Sequence, residues 1–172
     1  MALTIEDGTG VASADSYITE ADAQTLAATY GISLPAVVAD AEIALRQGYL
    51  NLNTHEIQLQ EYRVYAVQTG IFPRSYVYAN GFLLASDAIP QDVKLAQLYA
   101  ASAIASGVDT NAVDNGQNLA SFDVKDVYSE TYQSNARVKV NSRIQGVYNS
   151  LYPYYKAAIA GGESNREFEC LV

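Results

Sequence analysis

The sequence predicts a mainly α-helical fold, a small bundle of about four helices with one β-hairpin and extended arms at both ends. Three observations support this prediction. Apolar residues recur at helical spacing in several segments, glycine and proline punctuate the ends of those segments, and one stretch near residue 120 alternates apolar and polar residues. We divide the 172 residues into an arm at 1–18, a single domain at 19–160 and a tail at 161–172.

The arm is predicted to be extended because glycines interrupt it and it lacks helical periodicity. Thr19 suits the N-cap of a first helix, Asp22 completes a capping box, and Gly31 ends the helix. A second helix is predicted to begin near Pro35 with Ser33 as its cap. Its broad apolar face comprises Val37, Val38, Ala41, Ala44, Leu45, Gly48, Tyr49 and Leu52.

Residues 53–69 give a weak signal, and the segment 62–67 fits either a short strand or the end of a helix. A loop at 72–88 follows. Its Asn80-Gly81 pair favours positive φ angles and therefore a tight reversal of the chain.

The strongest helical segment starts at Pro90, whose missing N–H and fixed φ suit a first turn, and Asp92 adds favourable negative charge there. One face carries Val93, Ala96, Ala100, Ala103 and Ile104, and a second face carries Leu95, Leu98 and Tyr99. A helix that is apolar around most of its circumference is buried, either in its own core or in an interface. Gly107 gives this helix a natural end.

Residues 119–132 alternate apolar and polar side chains and predict a β-hairpin with a turn near Lys125-Asp126. Because an isolated hairpin is marginally stable in water, it must pack on the helices or pair with a neighbouring copy. The last helix is predicted over about 138–158, with a kink or restart at Pro153. Gly161-Gly162 then begins a polar tail.

The length of the chain suits one domain with a core of its own, since a chain of this size buries roughly 68–70% of its unfolded surface. Cys170 is the only cysteine, so no intramolecular disulfide forms, which suits a reducing compartment. The first seven residues contain neither a basic region nor a long apolar run. We therefore expect no signal peptide or membrane anchor, and a soluble protein made in the cytoplasm.

The net charge of −9 argues against ordinary duplex binding, which requires cations to displace counterions from phosphates. Seven acids and no base precede Arg46, whereas residues 131–162 contain four bases and no acid. The two parts could therefore attract each other between neighbouring copies, or pack within one subunit. Fourteen tyrosines and no tryptophan are typical of an interface, although a tyrosine-rich core would have the same composition.

The sequence offers no convincing catalytic or metal-binding constellation. His55 is the only histidine and is predicted to be an ordinary surface or loop residue. Gly8-Thr9-Gly10 lacks the lysine of a phosphate-binding loop and is predicted to be a hinge. The pair Glu6-Asp7 is predicted to be a solvated turn, since two carboxylates alone do not make a cation site. We expect no enzymatic activity, no cofactor and no metal.

Five motifs, taken in order, resemble a known family. They are Ile5–Thr19, Ala44–Leu50, Phe72-Pro73-Arg74, the helix start Ile89–Gln97 and Leu151–Tyr155. Together they resemble the head–tail adaptor proteins of tailed bacteriophages, also called connector or head completion proteins. Members with this N-terminal arm have also been called DnaT-like single-stranded-DNA-binding proteins.

The resemblance implies a structural virion protein in the neck, between the portal and the tail. It implies a homo-oligomeric ring, dodecameric in the family, that contacts the portal protein and a tail or nozzle protein. Duplex DNA would pass through its channel during genome ejection without sequence recognition, and no membrane would be involved. The loop at 72–88 would project toward a partner, and the arm and the tail would be further docking segments.

With this resemblance in hand, two sets of residues become candidate sites. The predicted subunit or partner interface comprises Leu95, Leu98, Tyr99, Tyr76, Tyr78, Arg137, Lys139, Arg143 and Phe168. The predicted channel-facing acids are Asp40 and Glu42. The alternative function is a single-stranded-DNA-binding accessory protein of phage replication. Its basic patch would be Arg137, Lys139 and Arg143, with Tyr132 and Tyr148 as stacking aromatics.

Overall fold

The computed structural model describes residues 2–108, 122–124, 128–130 and 142–156, and for 122–124 and 128–130 it describes the backbone only. Within these residues the fold is mainly α-helical, as predicted. The helices are α1 (Glu20–Tyr30), α2 (Val38–Leu52), α3 (Gln91–Ala105) and α4 (Ser142–Leu151). Short 3₁₀ helices follow α2 at Asn53–Gln58 and α4 at Tyr152–Tyr154.

The strands form three short antiparallel pairs in the described part of the chain. They are β1 (Tyr62–Arg63) with β2 (Arg74–Ser75), β3 (Tyr78–Ala79) with β4 (Phe82–Leu83), and β5 (Phe122–Val124) with β6 (Tyr128–Glu130). The last pair confirms the hairpin predicted at 119–132. Its predicted turn at Lys125-Asp126 lies outside the described residues.

Both ends of α1 and the start of α3 follow the local signals in the sequence. The Thr19 side chain accepts a hydrogen bond from the backbone of Asp22 at 3.2 Å, and Gly31 ends α1 with a φ of 66°. Pro90 is the N-cap residue of α3. In contrast, α2 begins at Val38 instead of Pro35, because the connection before it is held to α1 by Gln24 Nε2, which donates to the Pro35 carbonyl at 2.8 Å.

Helix α3 lies at the centre of the bundle, with α2 and α4 packed against it from two sides. A Cβ built on Gly48 of α2 would lie 2.7 Å from the Gln97 carbonyl oxygen, and one on Gly146 of α4 would lie 2.7 Å from the Tyr99 ring. Gln97 and Tyr99 are two residues apart and therefore lie roughly 200° apart around α3. Glycine thus lets both neighbouring helices approach α3 closely.

The core consists of two clusters of buried apolar residues that meet at α3. One joins α3 to α4, the loop at 71–77 and the second half of α2, and the other joins α3 to α1 and the first half of α2. The second cluster includes Leu95 and Leu98. These two residues were predicted to belong to a subunit or partner interface, but α1 and α2 of the same chain cover them, so that prediction is corrected.

The N-terminal residues, predicted to be an extended arm, pack against the rest of the domain. The backbone of residues 4–6 hydrogen-bonds to that of residues 15–16, and Ile5 forms a parallel β-bridge with Ser16. Tyr17 is 1% exposed, and its hydroxyl accepts a hydrogen bond from the backbone N–H of Phe72 at 3.0 Å. This segment is therefore part of the packed body, because its buried tyrosine fills the space beside α2 and the loop that follows it.

Candidate functional site

The described residues contain no arrangement typical of catalysis. Among them, no three histidine, cysteine or carboxylate side chains are placed to share a metal ion. No helix in the described ranges has the length and apolar character needed to cross a bilayer. The most distinctive surface is instead an exposed aromatic patch, which we call the tyrosine-rich end. It comprises Tyr62, Tyr76, Tyr78, Phe82 and Leu83.

The tyrosine-rich end is built from the two small strand pairs β1–β2 and β3–β4. The rings of Tyr62 and Tyr76 lie 6.2 Å apart between centroids, and both side chains are more than half exposed. Phe82 follows the turn at Asn80-Gly81 and is 79% exposed. A projecting apolar tip of this kind marks an interaction surface on a soluble domain.

Backbone geometry fixes the direction of this patch. Asn80 and Gly81 have φ angles of 52° and 84°, as the Asn-Gly pair predicted for a tight hairpin turn. Tyr76 also has a positive φ, of 57°, which is uncommon for a bulky residue and is held here by the neighbouring strands. The backbone that carries the exposed Tyr76 ring is therefore in a defined and uncommon conformation.

Gln60 holds the tyrosine-rich end to the body of the domain. This side chain is 1% exposed; its Nε2 donates to the carbonyls of Tyr78 and Pro153 at 3.0 and 3.2 Å, and its Oε1 accepts from the Tyr78 backbone N–H at 2.9 Å. Its own N–H donates to the Tyr154 carbonyl at 2.9 Å. One buried amide thus joins the hairpin to the segment after α4. No motif in the sequence indicates this role.

The arginines nearest to the patch are already engaged by the protein. Arg74 is 2% exposed and donates to the carbonyls of Gln60 at 2.8 Å and Ile71 at 3.2 Å. Burial lowers the pKa of Arg74. Arg63 donates from Nε to the Glu56 carboxylate at 2.6 Å. Both cations therefore bind acceptor groups of the protein itself and stabilise the loop.

His55 is buried, which corrects the prediction of an ordinary surface or loop histidine. Its side chain is 7% exposed, and its Nδ1 lies 3.0 Å from the Tyr155 hydroxyl. The Tyr148 ring packs edge-on against it at 5.1 Å. Burial lowers the pKa of His55. The histidine therefore fastens the end of α2 to α4 and the segment after it.

The Gly8-Thr9-Gly10 segment is a closed loop around a buried carboxylate, and not the predicted hinge. Glu6 is 1% exposed, and its Oε1 accepts hydrogen bonds from the N–H groups of Gly8 and Gly10, both at 2.9 Å. The N–H groups that resembled a phosphate cradle thus bind a carboxylate of the chain itself. Only Asp7 of the Glu6-Asp7 pair is solvated as predicted.

The remaining predicted site residues are separated in the structure. Tyr76 and Tyr78 are exposed at the tyrosine-rich end, whereas Tyr99 is half-buried against Gly146. Asp40 is exposed on α2, and Glu42 is half-buried with its carboxylate 3.8 Å from Arg46. Arg143 lies half-buried at the start of α4. Arg137, Lys139, Phe168 and Tyr132 lie outside the described residues.

The described body is acidic. Residues 2–108 and 142–156 contain eleven acids and six bases, and three of those bases, Arg46, Arg63 and Arg74, interact with carboxylates of the same chain. The fold and its surface therefore define a small, mainly helical protein whose exposed patch is aromatic and whose charge is negative.

Comparison with known proteins identifies the family. The family described as "Putative DnaT-like ssDNA binding protein" matches residues 1–168, and the chain belongs to this family. Neither the curated proteins nor the solved structures contain a match to the chain. The family description names binding of single-stranded DNA, which is the alternative function predicted from the sequence. It names no portal, tail or ring.

Proposed function

We propose that the protein is a structural, non-enzymatic subunit of a phage neck, located in the virion, which assembles as a ring and joins the portal to the tail. The observation that carries this proposal is the tyrosine-rich end, an exposed aromatic surface on an acidic body. Tyrosine and phenylalanine are enriched at protein interfaces, and their rings bury large areas there. We assign this surface to the contact with the portal protein.

The charge of the body supports a protein partner over a nucleic acid for this surface. Arg63 and Arg74 beside the patch are bound to Glu56 and to backbone carbonyls, so they offer little to phosphate groups. An acidic ring wall would also let duplex DNA pass without adhering, which is the behaviour that the resemblance implies for the channel.

The test is electron microscopy of the purified chain mixed with portal rings, together with a pull-down. We expect an added ring of density for the wild type and its loss for the double variant Phe82→Ser/Leu83→Ser. A matched control is Val37→Ser, which removes an apolar side chain that is 60% exposed near the start of α2. Portal rings that carry no added density with the wild-type chain would refute the adaptor function.

A second candidate function is binding of single-stranded DNA, which the family description names. The structural observation that favours it is the exposed pair Tyr62 and Tyr76, because bases stack on aromatic side chains at about 1–3 kcal/mol each. The phosphates would require Arg137, Lys139 and Arg143, the basic cluster of the sequence. In this second candidate function, the tyrosine-rich end binds a nucleic acid and not the portal protein.

Fluorescence anisotropy with a labelled oligonucleotide over a range of salt concentrations separates the two functions. Single-stranded DNA binding predicts an affinity that falls with salt and that weakens in Tyr62→Ala/Tyr76→Ala and in Arg137→Ala/Lys139→Ala. Duplex DNA of the same sequence is the control ligand. No binding of the wild type at low salt would eliminate this candidate.

A further inference from the structure

Helix α2 presents an exposed stripe that no other described part of the chain covers. Asp40, Ile43, Gln47 and Leu50 follow one another at helical spacing and are all exposed, with Ile43 at 52% and Leu50 at 64%. A groove of about 510 Å³ borders the stripe, lined in part by Leu34, Pro35 and Ile43. We call these residues the α2 face.

Helix α4 and the 3₁₀ turn after it present a second exposed surface, which we call the α4 face. It comprises Gln145, Tyr148, Asn149, Tyr152 and Lys156. Tyr152 is 62% exposed and Tyr148 is 41% exposed. Residues 142–156 contain two bases, Arg143 and Lys156, and no acid.

The two faces carry opposite charge and lie on different sides of α3. The α2 face contains one acid, Asp40, and no base, and the α4 face contains one base, Lys156, and no acid. The Lys156 Nζ donates to the Ile57 carbonyl at 3.0 Å. Because α2 and α4 pack against α3 from two sides, most of the α2 face cannot reach the α4 face of the same chain. A second copy of the chain is then the partner that fits both faces.

We propose that the α2 face of one copy docks on the α4 face of the next copy. Ile43 and Leu50 would pack against Tyr148 and Tyr152, while Asp40 and Lys156 provide opposite charges at the edges. A contact between two different surfaces is heterologous, and its repetition closes into a ring or continues as a filament. This inference rests on the proposed ring function and specifies which surfaces build the ring.

Charge exchange across the contact tests the proposal. The variant Asp40→Lys/Gln47→Lys makes the α2 face basic, and Asn149→Glu/Lys156→Glu makes the α4 face acidic. Each variant alone should associate at least about ten-fold more weakly than the wild type in sedimentation equilibrium, because like charges then meet. An equimolar mixture should associate again, since each altered face finds a partner of opposite charge.

The matched control is Ser86→Lys/Asp87→Lys, which changes the net charge by the same amount at two exposed residues away from both faces. It should associate as the wild type does, and circular dichroism verifies that every variant is folded. A monomeric wild type, unchanged association of the two variants, or a mixture that stays dissociated would each overturn the inference.

Failure of this contact is distinguishable from failure of the adaptor function. If the charge variants assemble normally and the wild type still adds a ring to the portal, only the choice of faces is wrong. If the wild type self-associates with the expected charge dependence but adds nothing to the portal, the contact stands and the adaptor function fails.

Discussion

Replacing Gln97 with alanine should destabilise the domain strongly, although the residue lies on a helix and carries no charge. Gln97 is 0% exposed. Its Oε1 accepts a hydrogen bond from the Tyr17 backbone N–H at 2.9 Å, and its Nε2 donates to the Ser16 hydroxyl and the Leu45 carbonyl, both at 2.9 Å. The side chain therefore ties α3 to the N-terminal segment and to α2.

The expected loss follows from what alanine leaves behind. The buried N–H of Tyr17 would lose its partner, which costs about 1–3 kcal/mol. The lost hydrogen bonds of Nε2 and the space left by the side chain add to this cost, so we expect about 3 kcal/mol in total. For a chain of this size that corresponds to a decrease in melting temperature of about 6–12 °C.

Urea denaturation followed by circular dichroism measures this free energy of unfolding. The control is Gln91→Ala on the same helix, where the exposed side chain makes one hydrogen bond to the Tyr30 hydroxyl at 3.3 Å and its loss should cost less than about 1 kcal/mol. A loss below about 1 kcal/mol for Gln97→Ala, with an unchanged denaturant slope, would refute the role assigned to this amide.

Two further predictions concern packing and pH. Gly48→Ala should lower the free energy of unfolding by about 1–3 kcal/mol in the same assay, because the new Cβ would lie 2.7 Å from the Gln97 carbonyl oxygen, even though alanine is the better helix former. Its neighbour Gln47→Ala is the control, and a stabilised Gly48→Ala would contradict the close packing. Burial lowers the pKa of His55 in the folded state, so the unfolded chain binds the proton first and stability should fall as the pH drops below about 6.5. The denaturation midpoint of the wild type should therefore fall more steeply with decreasing pH than that of His55→Gln in this range, and parallel pH profiles would exclude this contribution.

The residues behind the family resemblance are mainly structural in this fold. Arg74 of the Phe72-Pro73-Arg74 motif is buried and bound to backbone carbonyls, and Gln97, which closes the helix-start motif, is the buried amide discussed above. Motifs of this kind report a shared fold more directly than a shared ligand.

Local features were determined by the sequence itself. The cap at Thr19, the end of α1 at Gly31, the start of α3 at Pro90 and the turn at Asn80-Gly81 all formed as predicted. Each depends on groups within a few residues of one another, so the information needed is contained in a short segment. The burial of α3 also followed from its apolar circumference.

Long-range contacts decided the rest. Glu6, His55, Gln60 and Gln97 are polar residues that resemble surface positions in the sequence, yet all four are buried. The partners of Gln60 and Gln97 include groups 93 and 81 residues away in the chain, and burial of these amides is favourable only because those groups satisfy them. Likewise, Leu95 and Leu98 are buried against α1 and α2, whereas Phe82 is exposed to solvent. All three residues are apolar, so only the position of the neighbouring elements distinguishes a core residue from an exposed one.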